Sequence, residues 1–150
     1  IPKWIIQYLR KKFLKFLKNN KKTYKKIYID RSDSVLNHCK LINNIEIETF
    51  LKSKGFKILK LSELSFLNQV TIFNNAKFIV GPHGAGFANL IFCKKNTKIL
   101  EIKPHNHPGK GYQRISNINK LNYKSLKLKK IKNHTYGDMI LKIKELKKYI

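Results

Sequence analysis

The stretch that decides the fold runs Lys77-Phe78-Ile79-Val80-Gly81-Pro82-His83-Gly84-Ala85-Gly86-Phe87-Ala88-Asn89-Leu90-Ile91-Phe92. Its first five residues form a short apolar run closed by glycine, which reads as a buried strand. The glycine-rich turn that follows leads into a helix carrying Phe87, Leu90 and Ile91. A strand that turns directly into a helix opens a strand–helix–strand unit, so its partners are sought on either side. Upstream, Lys26 to Asp30 reads as a short buried strand and Phe56 to Leu61 as another. Downstream, Thr97 to Lys103 forms a fourth, with a weaker fifth near Tyr123 to Leu128.

The segments between these strands carry helical signals. Asn43 offers a cap, and Glu46 three residues later completes a capping box; Ile47, Phe50 and Leu51 then face inward and Gly55 stops the helix. Ser65 caps a helix in which Phe66, Val70 and Phe73 recur at i, i+4 and i+7. A short helix is expected from about Tyr112 to Lys120, and Gly137 to Ile150 reads as helical with Met139, Ile140, Ile143 and Leu146 on one face. Strands alternating with helices of about 8 to 14 residues give parallel βαβ units. The fold class is α/β, a doubly wound, Rossmann-like parallel sheet, and ligands in such sheets bind at the strands' carboxyl ends.

Composition bounds the function. The 150 residues suit one domain, and 42% hydrophobic with 11% aromatic content is too high for a disordered basic tail. No run of about 18 apolar residues reads as a membrane span. Two cysteines, Cys39 and Cys93, make neither a disulfide framework nor a zinc set and read as reduced thiols. The net charge is +25, yet 30 of the 33 basic residues are Lys, and only Arg10, Arg31 and Arg114 are Arg. With 20 Ile and 15 Asn alongside, this is the composition an AT-rich coding sequence produces, with Lys laid over any tolerant surface. The Arg positions therefore carry more information. The excess charge still favours anionic partners, and a basic domain that binds nucleic acid or an anionic polymer without catalysis is the competing reading. No RNP motif, zinc spacing or Arg-rich recognition helix supports it, so no nucleic acid is expected.

At the amino end, residues 2 to 18 place Trp4, Ile5, Tyr8, Leu9, Phe13, Phe16 and Leu17 along one helical stripe, with Lys3, Arg10, Lys11, Lys15 and Lys18 elsewhere and Asn19-Asn20 marking the end. Such a helix either packs on a domain or lies on a membrane surface. The chain opens on Ile1 with no signal peptide, and is read as the carboxy-terminal domain of a longer protein.

Three strand ends carry candidate chemistry. Gly81, Gly84 and Gly86 are spaced G-x-x-G-x-G, which is not the dinucleotide fingerprint. Glycine lets backbone approach a ligand, and a helix start there offers unpaired N–H groups to phosphate. His83 in the same turn is placed to donate to a phosphate oxygen or to transfer a proton, unless the turn is simply a tight structural one. Asp30-Arg31-Ser32-Asp33-Ser34 follows the first strand; Arg31 reads either as a diphosphate clamp or as the partner of Asp30 or Asp33. Glu101, near the end of the fourth strand, either accepts from ribose hydroxyls or pairs with a neighbouring Lys. His105 and His107 are spaced like metal ligands but lack a clear third, and His38 and Cys39 are close in sequence; no metal site is assigned. Ser32 and Ser34 lack a nucleophile-elbow context.

Taken together, Tyr28-Ile29-Asp30-Arg31-Ser32-Asp33, Ile42-Asn43-Asn44 with Glu46, Gly55-Phe56, Leu61-Ser62-Glu63-Leu64-Ser65-Phe66 with Gln69, Phe73 with Ala76, Ile79 to Phe92, and Ile99-Leu100-Glu101-Ile102 resemble the carboxy-terminal part of glycosyltransferase family 61, over about residues 26 to 128. The resemblance implies the carboxy-terminal half of a GT-B enzyme, with residues 1–20 an amphipathic basic linker or packing helix and 26–150 a Rossmann-like nucleotide-sugar-binding domain. It implies an inverting transferase that moves a sugar of N-acetylglucosamine or xylose type from a UDP-sugar to a glycan or polysaccharide acceptor, as in capsular polysaccharide biosynthesis. It further implies no metal and no cofactor beyond the donor, a partner amino-terminal Rossmann-like domain, and a cytoplasmic location with peripheral contact at the inner face of the membrane. Carried onto this chain, Arg31 matches the family's arginine after the first strand, His83 and Gly84 its His-Gly pair, Asn89 its helix asparagine and Glu101 its Glu-Ile acid. Arg31 and His83 are then the catalytic candidates, and Arg31, His83, Gly84, Ala85, Gly86, Asn89 and Glu101 the donor-binding ones. Gly86 stands where a second Ala is common, and Lys40 or His38 stands in for a second arginine. The geometric expectation is that Arg31, His83 and Glu101 converge on one crevice.

Overall fold

The computed structural model describes residues 1–17, 23–34, 38–131 and 137–150. Five strands form one sheet: β1 (Lys26–Asp30), β2 (Lys57–Lys60), β3 (Phe78–Pro82), β4 (Lys98–Pro104) and β5 (Asn122–Leu128). All pairings are parallel, in the order β2-β1-β3-β4-β5. The helices are α1 (Lys3–Leu14), α2 (Asn44–Ser53), α3 (Phe66–Asn75), α4 (Gly111–Ile118) and α5 (Ile143–Leu146), with 3₁₀ segments at Leu61–Glu63 and Ala85–Phe92. The expected strands are present within one or two residues at each end; the central β1, β3 and β4 are buried on both faces, while the edge strands β2 and β5 stay partly exposed.

The period-two alternation of β4 divides the core. Ile99 faces a cluster that takes in Ile29, Val70, Phe73, Ile79, Phe87 and Leu90. Leu100 and Ile102 face the other, with Tyr28, Leu41, Ile47, Leu51 and Val80. Glu101 lies on the Ile99 side of the strand, and so does Lys103. α2 ends as expected at Gly55 (φ +79), where Gly55 N–H donates to Lys52 O and Phe56 N–H to Leu51 O, both at 3.0 Å. Ser65 caps α3 by accepting from Asn68 N–H.

Four local expectations are corrected. Asn43 does not close a capping box: its Oδ1 accepts from Leu141 N–H at 3.1 Å and its Nδ2 donates to Leu141 O at 2.9 Å, tying the carboxy-terminal segment to the start of α2. That segment is helical only over Ile143–Leu146; before it, Met139 bridges Leu41 and Lys130, with Met139 and Leu141 buried and Ile140 exposed. The alternation of a strand won over a helical stripe because Leu41 and Lys130 offered a backbone to pair with. The helix after His83 is 3₁₀, and the residues it buries completely recur every three positions, at Phe87, Leu90 and Cys93. Finally, the stripe on α1 is split. Ile6 is fully buried with Leu9, Phe13 and Leu14 packed around it, while Trp4 is 67% exposed and Tyr8 56%. The apolar arc of α1 is wider than the groove it lies in, and the arc meeting α3 and the 3₁₀ helix is the one centred on Ile6. The helix end expected at Asn19-Asn20 lies outside the described residues. No helix among the described residues is long and apolar enough to cross a membrane.

Arg10, expected on the polar side of α1, instead reaches the carboxyl end of the 3₁₀ helix. Its Nη1 donates to Ile91 O and, at 2.8 Å, to Cys93 O. Asn119 donates to Leu90 O and Ile91 O at 3.0 and 2.9 Å, and Asn74 to Phe92 O at 2.9 Å. Three side chains thus satisfy the carbonyls that a helix end leaves unpaired, and they hold an eight-residue run of a geometry seldom so long. Urea unfolding checks this assignment of faces: Ile6→Ala is expected to cost about 2–5 kcal/mol and Arg10→Ala about 1.5–3 kcal/mol. Trp4→Ala should stay within about 0.5 kcal/mol. A Trp4→Ala cost equal to that of Ile6→Ala contradicts it.

Candidate functional site

The strand order reverses between β1 and β3: from β1 the chain goes out to β2, then returns past β1 to place β3, β4 and β5 on the other side. At such a switch point the two connections leave in opposite directions and open a crevice at the carboxyl ends. The residues that follow β1 and β3 here are Arg31 and His83.

Arg31 is half-buried and its guanidinium lies against Gly84, where an added Cβ would overlap it. Nη1 donates to His83 O and Nη2 to Ser34 Oγ at 2.8 Å. Neither flanking carboxylate holds it. Asp30 accepts from Ser32 N–H at 2.9 Å, Ser32 Oγ at 2.7 Å and Asn44 Nδ2 at 3.0 Å, and Asp33 accepts from Ser62 Oγ. A guanidinium carries five N–H groups; two are used, so three find no acceptor among the described residues, and the cation has no ion-pair partner there. The reading of Arg31 as a loop-fixing ion pair is therefore set aside. A cleft of about 190 Å³ beside it is lined by Ile29, Asp30, Arg31, Asp33, Ser34, Leu61, Ala85 and Gly86. On its other side a recess of about 30 Å³ brings in Lys40, Asn44 and Pro82, so Lys40 does reach the neighbourhood of Arg31. A roomier hollow of about 470 Å³ lies beside Phe78, Lys98 and Asn122, at the amino ends of β3 to β5. The strand-tip cleft is the better candidate, because that is where exposed strand ends and unspent polar groups meet.

His83 and Glu101 are joined: Nδ1 lies 2.5 Å from Glu101 Oε1. Parallel pairing aligns Gly81 with Glu101 and Ile99 with Tyr123, so Glu101 and Lys103 share one face of β4, with Tyr123 of β5 diagonal to Glu101 and His83 just beyond the end of β3. Glu101 is 1% exposed and its second oxygen accepts from Tyr123 OH, with Lys103 Nζ at 3.4 Å. Lys103, itself 5% exposed, also donates to Gly109 O at 3.2 Å. Burial pushes the Glu101 carboxyl up, but hydrogen bonds from His83 and Tyr123 and the Lys103 ammonium outweigh it, leaving the group below its ordinary value. Burial, and then the Glu101 hydrogen bond and charge, push the Tyr123 hydroxyl up. The His107 ring lies tilted against His83 with centroids 3.8 Å apart; its burial, then the charges of His83 and Lys103, lower its pKa. Tyr112 of α4 closes the cluster, 5.2 Å from His83 between ring centroids.

Arg31, Ala85 and Gly86 thus line the crevice, with Gly84 and the His83 carbonyl against the Arg31 guanidinium, whereas the His83 ring turns to Glu101, which lies buried with both oxygens occupied. Asn89 is turned away from it: Nδ2 donates to Gln69 Oε1 at 2.9 Å, and Gln69 in turn holds Leu61 O and Leu64 O. Sequence reading allowed Glu101 a neighbouring Lys, which proves to be Lys103, weighed His107 only as a metal ligand, and passed over Tyr123. For Lys103 the signal was present, since a second charged residue two positions after Glu101 falls on the same face of a buried strand. Among the described residues no group of three or more His, Cys, Asp or Glu side chains is placed to hold a metal ion.

A family model described as Glycosyltransferase 61 matches residues 1–100, a span that includes Arg31, the His83 turn and the 3₁₀ helix. No curated protein matches the chain.

The lowered values of Glu101 and His107 mean that the unfolded chain takes up protons more readily than the folded one. The stability these two groups contribute is therefore full above about pH 6.5, declines as the unfolded His107 protonates, and falls further below about pH 4.3 on account of Glu101. Urea midpoints across this range should follow that course, and Glu101→Gln should flatten the lower decline. A Glu101→Gln curve parallel to wild type below about pH 4.3 contradicts the assignment.

Proposed function

The chain belongs to glycosyltransferase family 61, and from that premise we propose that it is the donor-binding, carboxy-terminal half of a GT-B inverting glycosyltransferase. Its donor is a UDP-sugar of N-acetylglucosamine or xylose type, and its acceptor a glycan or polysaccharide. The observation that carries this reading is Arg31: a half-buried guanidinium at the switch point of a parallel sheet, seated on a glycine, with no carboxylate partner among the described residues. Such a fork matches a diphosphate, and Ala85 and Gly86, the first residues of the 3₁₀ helix, line the same cleft.

In this mechanism the acceptor hydroxyl oxygen attacks the anomeric carbon while the bond from that carbon to the β-phosphate oxygen breaks. UDP leaves with the electron pair and the hydroxyl proton passes to a general base. The chain's main task is to hold the donor and to stabilise the charge that grows on the departing diphosphate. Arg31, the helix start and His83 serve that charge. Asp33, whose Oδ1 has no partner among the described residues, faces ribose hydroxyls as carboxylates do in other nucleotide crevices. A preceding Rossmann-like domain closes over the crevice, and peripheral contact with the inner face of the membrane brings a lipid-linked acceptor within reach.

Calorimetry with UDP tests the reading. Arg31→Lys keeps the charge but loses the fork, and should weaken binding roughly ten- to hundredfold. Gly84→Ala should weaken it comparably by displacing the guanidinium, while thermal stability changes little because a flexible side-chain tip can move aside. A folded chain that ignores UDP yet binds nucleic acid with a steep salt dependence returns the basic-domain reading.

A further inference from the structure

Glu101 and Lys103 are two opposite charges on one face of a buried strand, and neither touches the crevice directly. A carboxylate inside a protein is tolerated when paired and hydrogen-bonded, and this one is held from two adjacent strands: Lys103 from its own β4, Tyr123 diagonally from β5. We infer that Lys103 and Tyr123 are positioning residues which act through Glu101 on His83, holding the carboxylate aimed at Nδ1 so that the imidazole is fixed as its Nδ1–H tautomer and Nε2 is left for the ligand or the proton. The use of Nε2 by a ligand rests on the donor-site reading above; the tautomer itself does not.

The chemistry follows from donor counting. An ionised carboxylate only accepts, so the 2.5 Å contact between Glu101 Oε1 and His83 Nδ1 requires the hydrogen on Nδ1. Glu101 Oε2 is occupied by Tyr123 OH and Lys103, which leaves the carboxylate no freedom to turn away. The ring is also packed against His107, whose plane is tilted 45° to it. Nε2 makes no hydrogen bond among the described residues, and the His83 side chain is 14% exposed. In a neutral imidazole with Nδ1–H, Nε2 carries the lone pair; after proton uptake it becomes a donor suited to an anion. Its companion histidine nitrogen would do neither while bound to Glu101. The groups that face Glu101 are His83 after β3, Lys103 on β4, Tyr123 on β5, His107 from the loop after β4, Tyr112 on α4 and, more remotely, the Cys39 thiol. Of these Lys103 is the cation opposing the burial of the carboxylate. Without it, the Glu101–His83 pair should take up a proton to replace the missing ammonium, as a coupled unit.

Long-range proton–nitrogen NMR of the uniformly ¹⁵N-labelled 150-residue chain tests this, with the His83 signals assigned by their loss in His83→Gln. Neutral His83 in the wild type should show Nδ1 protonated and Nε2 bare. In Lys103→Met that pattern should be lost near neutral pH and recovered only as the pH is raised. Tyr123→Phe keeps the ring and its packing, and should move the recovery in the same direction by a smaller amount, so the proposal stays testable if Lys103→Met does not fold. Nε2–H in the wild type, or wild-type patterns in both variants across the titration, overturns it. UDP added to the same samples separates the two readings: no UDP binding with the expected tautomer ends the donor-site reading and leaves this one standing.

Discussion

Between β1 and β3 the chain reverses the direction in which it adds strands, and the site depends on that reversal. In a parallel sheet every strand ends on the same edge, so polar residues that follow strands are carried to one rim whatever their distance in sequence. The reversal decides where on that rim a cleft can form, because only there do two successive connections part. Arg31 and His83, 52 positions apart, meet at that point with the Arg31 guanidinium on the His83 carbonyl. Gly84 makes the approach feasible, since any side chain there would occupy the space of the guanidinium.

The three arginines illustrate how differently one charge type is used. Arg10 is spent inside the fold on the carbonyls that end the 3₁₀ helix. Arg114 stands on an exposed position of α4. Of the three, Arg31 lies in the crevice, with N–H groups that find no acceptor among the described residues. Beneath the crevice the electrostatics are of another kind: Glu101 and Lys103 are buried together, and their near-neutral sum gives His83 a fixed partner while leaving little net charge under the crevice. The many lysines of the surface contribute to the long-range field, while these few buried groups set the local chemistry.

Helix α1 presents two apolar arcs, and only one is used within this fold. Ile6, Leu9 and Phe13 seal the layer over α3 and the 3₁₀ helix, where Phe13 packs edge-on against Phe66 with centroids 4.9 Å apart. Trp4 and Tyr8 remain in solvent with Lys12 over the Tyr8 ring. The helix is thus part of the core by one face and cationic and aromatic on the other.

Much of this was legible in the residues themselves. The apolar runs of β1, β3 and β4 have one way to be buried, the αL position at Gly55 requires its glycine, and the resemblance carried by the His83 turn named the family. Arg31 was marked out by its rarity in a lysine-rich chain. What the one-dimensional pattern left open was every choice between two faces: which arc of α1 goes inward, whether the Met139 segment follows a helical or a strand period, whether Asp30 or Asp33 neutralises Arg31, and whether Glu101 looks outward to a ligand or inward to His83. Those choices are made by partners remote in sequence, Leu41 for Met139, Ser62 for Asp33, Tyr123 for Glu101, and a local periodicity records the existence of an apolar or polar position without recording what will lie opposite it.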